Sequence, residues 1–164
     1  MRSFSLALAL SALTACGGGS EGGNHAVTLL DAYVITTQVH LVPSSAGASM
    51  GMSECDMTVK STVHREPADS TMTCDGCEAI YKGTPDSTMS DCQNAGASGE
   101  AYYGLLPRDD GDLDVWVEDG GALAPQGAAV ADDTGAAWSL AYTQQMGSDQ
   151  FNLGDAQIQL LIEE

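Results

Sequence analysis

Apolar and polar residues alternate with a period of two along much of the chain, and that period predicts strands rather than helices. Over 55–63, Cys55, Met57, Val59 and Val63 share one face, broken only by Ser61, while Asp56, Thr58, Lys60 and Thr62 share the other. Over 112–118, Leu113, Val115 and Val117 alternate with Asp112, Asp114, Trp116 and Glu118. Over 136–143 the inward set is Ala136, Trp138, Leu140 and Tyr142, and over 156–162 it is Ala156, Ile158, Leu160 and Ile162. The run 27–42 is rich in β-branched residues and apolar on both faces near its middle, which predicts one long or bent strand near the centre of a sheet. Weaker strands are expected at 77–84, 101–106 and 126–131. Turn residues punctuate these segments at Asp109-Asp110-Gly111, Gly120-Gly121, Asp132-Asp133-Thr134-Gly135 and Gly154-Asp155. No stretch carries a helical stripe and no fixed repeat is visible. The expectation is all-β: one domain, 25–164, of about eight strands in an antiparallel β-sandwich or partly open barrel.

Composition changes that picture in two ways. Leu, Ile, Val and Phe supply only 30 of 164 residues, so the core must also draw on Tyr, Trp, Met and Ala and be braced by cysteines. The chain holds 23 acidic and 5 basic residues, a formal charge of −18. Such a surface repels phosphate backbones and anionic headgroups, which excludes nucleic acid as a partner and leaves cations and basic proteins as charged ones.

The first fifteen residues stand apart: Arg2, a short apolar run, then small residues before Cys16. The apolar run is too short to span a bilayer and reads as a secretory signal. Leu13-Thr14-Ala15-Cys16 resembles the lipobox of bacterial lipoproteins. That resemblance implies cleavage before Cys16, acylation of Cys16, and a membrane partner reached through the lipid anchor. Gly17-Gly18-Gly19-Ser20-Glu21-Gly22-Gly23 then reads as a flexible leash, so 16–24 is lipidated cysteine plus linker. Gly17, where an inner-membrane lipoprotein carries Asp, implies the outer membrane, in its periplasmic or its surface leaflet. The mature chain as a whole is also similar to small uncharacterised disulfide-containing lipoproteins of myxobacteria, in its leash, its β-rich Asp/Gly/Thr composition and its cysteine order. The resemblance supplies a location and a fold, and no chemistry.

Removing Cys16 from five cysteines leaves four, Cys55, Cys74, Cys77 and Cys92, an even number suited to two disulfides in an exported domain. A disulfide across Cys74 and Cys77 closes a very small loop, so each is expected to bond outward, with Cys74 to Cys92 and Cys55 to Cys77 slightly preferred. A zinc site or a thiol-redox centre on the same four cysteines is the alternative. Against it stand the missing second close pair and the acidic neighbours Asp75 and Glu78, which disfavour a thiolate.

Asp109-Asp110-Gly111-Asp112-Leu113-Asp114 resembles the tail of a calcium loop of integrin-type propellers, and Asp110, Asp112 and Asp114 could give three oxygen ligands to calcium. The glycine and terminal glutamate of an EF-hand are missing, and a hairpin turn followed by a strand's solvent face accounts for the same residues. His25, His40 and His64 have no metal-site spacing, and no nucleophile elbow, phosphate loop or dinucleotide fingerprint occurs. The reading is a non-enzymatic surface or periplasmic module with an envelope or extracellular protein partner. A calcium-dependent binding module is the other alternative.

Overall fold

The computed structural model describes residues 27–68, 71–92, 99–148 and 151–164. Eight strands follow one another as β1 (Ala32–Pro43), β2 (Cys55–Arg65), β3 (Ala79–Ser90), β4 (Ala101–Pro107), β5 (Leu113–Asp119), β6 (Ala122–Ala131), β7 (Ala137–Ser148) and β8 (Phe151–Glu163). Each pairs antiparallel with the next, and β1 pairs with β8, so the sheet closes into an up-and-down barrel. Every expected strand is present in the expected order, except that the first begins at Ala32 and the 27–31 part of the expected 27–42 strand lies outside it. Closure leaves no central strand: β1 is flanked by β2 and β8 as every other strand is flanked by two neighbours.

Gly154-Asp155, expected as a turn, lies inside β8 instead. Gly154 has φ 146° opposite Pro43, and a Cβ there would collide with the Val42 carbonyl oxygen, so the glycine serves a close strand approach rather than a reversal. The one short helix among the described residues, α1 (Ser45–Ser49), has no stripe to betray it. Ser44 caps it by accepting a hydrogen bond from the Gly47 amide at 3.1 Å, and Gly47 packs against the backbone of Leu153.

An eight-stranded barrel has an interior that side chains can fill. Here the alternating residues converge as expected: Ile35, Val63, Leu105, Leu113, Val115, Leu160 and Ile162 are all buried inside. Three aromatics close the end at which β1 starts. Tyr33 meets Tyr81 and Trp138 edge-on, at centroid distances of 5.2 and 6.1 Å. Their polar atoms are satisfied. Tyr33 Oη accepts from the Leu30 amide at 3.1 Å, Tyr81 Oη donates to the Leu30 carbonyl at 2.7 Å, and Trp138 Nε1 donates to the Gly111 carbonyl at 2.9 Å. Segment 27–31, with Leu29 buried, is thereby held over that end as a plug.

The barrel's seams are unequal. β1 and β8 share ten register pairs, whereas β6 and β7 share only Val130 with Ser139 and Ala131 with Trp138. Gln126, the extra residue at the β5–β6 bulge between the paired Pro125 and Gly127, and Gly127 itself at φ 133° lie on the β6 side of that weak seam.

Among the described residues no helix is long and apolar enough to cross a membrane. The barrel's own outer rows, such as Thr36, Gln38 and His40 on β1 or Asp56, Thr58 and Lys60 on β2, are polar, the reverse of the apolar outer band of a membrane barrel.

Candidate functional site

The four interior cysteines form Cys55–Cys92 and Cys74–Cys77 disulfides, correcting the pairing expected from loop size. Register explains the first. Met57 lies opposite Ser90 in the β2–β3 hairpin, and two pairs further out the same register sets Cys55 opposite Cys92. The strands are tied there by hydrogen bonds too, with the Asp56 amide donating to the Asp91 side-chain carboxylate at 2.7 Å and the Asp91 amide donating back to the Asp56 carbonyl at 3.1 Å. Cys74 and Cys77 sit at the other end of the same hairpin, before β3, so the four sulfurs form two separated staples and not one four-cysteine centre. The second staple lies flat on the outer wall above Gly104 of β4. A Cβ on Gly104 would stand 2.8 Å from one sulfur and 3.0 Å from the other. Beside it, Trp116 points outward, as its alternation requires, yet is buried beneath the same connection, with its ring close to Gly76. Cys16, the lipobox, the linker and His25 lie outside the described residues.

Asp110, Asp112 and Asp114 are brought near one another but turned to different tasks. Arg108 donates to Asp110 at 3.3 Å and to Asp114 at 3.1 Å, while Asp112 accepts from the Ala131 amide on β6 at 3.0 Å. The Asp112 amide, helped by Arg108, holds the Asp110 carboxyl below its ordinary value. Opposite them, Asp132 accepts from the Thr134 amide and hydroxyl and from the Ala136 amide, which keeps its carboxyl low in the same way and shapes the β6–β7 turn. Together with Glu164 these turns rim a cup of about 660 Å³ over Trp138, at the plugged end of the barrel. Among the described residues, the one group of three or more potential ligand atoms lying within 4.8 Å of each other is Cys55, Asp91 and Cys92, and both of its sulfurs are in the disulfide.

A second concavity is on the outer wall, where β2, β1, β8 and β7 lie side by side. Tyr142 and Ile158 pack inward against the core, so the residues on either side of them face out. One outward row runs Thr58, Gln38, Gln159, Ala141 across the four strands; the next runs Asp56, His40, Gln157, Thr143. Between the rows is a trough of about 640 Å³, floored by the backbone at Val39, Met57, Tyr142 and Ile158. His40 is pinned at its rim, Nδ1 2.8 Å from Asp56 and Nε2 3.3 Å from Glu54. The hydrogen bond to Asp56 raises the imidazole pKa above its ordinary value, assisted by the charges of Glu54 and Asp91. Sequence reasoning did not find this trough, because apart from His40 and Asp56 its outward residues are uncharged Gln, Thr and Ala spread over four strands. The signal was present only as the polar half of each alternation.

The described residues thus form a closed eight-stranded β-barrel with a filled interior, two disulfide staples and a surface trough. Comparison of the chain with family models, curated proteins and solved structures gave no match.

Proposed function

We propose that the chain is an exported, lipid-anchored module of the outer membrane, carried on Cys16 and the 17–24 leash, whose barrel acts as a non-enzymatic interaction or structural unit. One observation carries the reading. The barrel pairs four of the five cysteines with each other, which leaves as the fifth Cys16, the residue at the lipobox position. Two disulfides suit an oxidising compartment. Two or three acyl chains on Cys16 would make a stable tether where one would be marginal.

The test is intact mass of the protein isolated from its own envelope, before and after reduction and alkylation. The expected species starts at Cys16, carries acyl chains, and exposes four thiols only after reduction. A non-acylated chain, or one still carrying residues 1–15, would refute the anchor. Cys16→Ser should shift the protein from the membrane fraction to the soluble fraction.

A further inference from the structure

We propose that the trough across β2, β1, β8 and β7 binds a neutral glycan strand. Charge is the first argument. On a chain with 23 acidic and 5 basic residues, the two rows facing the trough hold a single carboxylate, Asp56, and His40 sits between it and Glu54 at the rim, at 2.8 and 3.3 Å. A polyanion is repelled by the molecule as a whole, and the Gln and Thr side chains of the two rows give a polycation no charge to pair with beyond the Asp56 and Glu54 already held by His40. An uncharged ligand is the one for which this wall is set apart.

Hydrogen-bonding chemistry is the second argument. Gln38, Gln157 and Gln159 stand together on the adjacent strands β1 and β8, with Thr58 and Thr143 on the flanking strands. Each amide presents two N–H donors beside one carbonyl acceptor, and each hydroxyl both donates and accepts. Neighbouring sugar hydroxyls need that mixture at adjacent points. Carboxylates only accept and ammonium groups only donate, so neither offers it.

Shape is the third argument. The trough crosses four strands, about 14 Å at the usual strand spacing, and it lies on an outer wall, which suits a chain passing through rather than a capped small molecule. A second copy fits poorly, because two concave walls face to face leave both troughs empty and bring two strongly acidic molecules together. The inference deepens the envelope reading by naming a partner class, and rests on it only for where the glycan is met.

The experiment titrates the full chain with neutral N-acetylglucosamine oligomers and β-linked glucose oligomers by calorimetry, with oligogalacturonate and chitosan oligomers as anionic and cationic controls. Neutral oligomers are expected to bind with little dependence on salt. The Gln38→Ala/Gln157→Ala/Gln159→Ala variant should lose about tenfold or more in affinity with an unchanged melting temperature. Gln159→Glu, a single exposed change, should weaken binding in the same direction and serves if the triple variant folds poorly. Absence of binding at millimolar neutral oligomer, equal binding by the variants, or preference for a charged oligomer would overturn the proposal. Self-association abolished by the same variants would also overturn it and give the wall to a second copy. An acylated protein that ignores saccharides sinks this inference alone, and a non-acylated one that binds them sinks only the anchor.

Discussion

Adding one methyl group at Gly104 tests how the Cys74–Cys77 staple is seated. Gly104 is paired in β4 between β3 and β5, with no positive φ to strain an alanine. In an ordinary strand Gly→Ala would stabilise by about 0.5–1 kcal/mol. Here the new Cβ would lie 2.8 and 3.0 Å from two sulfurs that are bonded to each other, and 3.1 Å from the Cys77 Cβ. None of these is the free end of a flexible chain. Overpacking of this kind costs about 1–3 kcal/mol, so Gly104→Ala should be destabilising by about 1 kcal/mol net, or about 3–5 °C in melting temperature for a domain of this size. The decisive comparison is a double-mutant cycle by urea unfolding. In a Cys74→Ala/Cys77→Ala background the sulfurs are gone, and the same substitution should become neutral or slightly stabilising. An alanine that is harmless in the wild-type chain, or one that costs the same in both backgrounds, would refute the claim that the staple rests on this glycine.

The two staples should differ in worth: Cys55–Cys92 spans 37 residues and Cys74–Cys77 spans 3, so the chain-entropy relation gives about 4 against about 1.5 kcal/mol, to be read from denaturant unfolding of the paired Cys→Ala variants. His40 has its folded pKa raised by Asp56, so its contribution is fully present below the unfolded value near 6.5 and is lost as pH rises through the higher folded value. The melting-temperature gap between wild type and His40→Gln should therefore shrink from pH 5.5 to 8.5 by about its whole size, and an imidazole NMR midpoint at or below 6.5 would contradict the pairing. The Asp132 carboxyl is held low by Thr134 and the turn amides, so its contribution is present above the unfolded value and lost as pH falls through the folded one. Asp132→Ala should lower the melting temperature at neutral pH, less in acid, and should raise amide exchange first along the β6–β7 seam; uniform exchange across all strands would count against that account.

The barrel was legible because Leu113 and Val115, Trp138 and Leu140, or Leu160 and Ile162 keep strict period two, and burial enforces it. Cysteine pairing was misjudged because β3 was read as ending near residue 84. Extended to Ser90, the β2–β3 register itself sets Cys92 opposite Cys55. Gly154 misled because a glycine that permits close strand approach looks, in sequence, like one that permits a turn. Trp116 alternates correctly to the outside, and nothing local announces that a distant connection folds over it. The trough required knowing which four strands lie side by side, and β1 next to β8 is a fact of closure that no local pattern carries.

That closure also orders the molecule in time. Thr37 waits for Leu160, so the first strand made finds one of its two neighbours only in the last. Until β8 is available, β1 and β7 each present a bare edge, and hairpins formed earlier cannot shut the ring. A chain stopped short of β8 is left with sticky borders rather than a smaller barrel. The ring cannot close until the chain is made as far as residue 163, the partner of Val34.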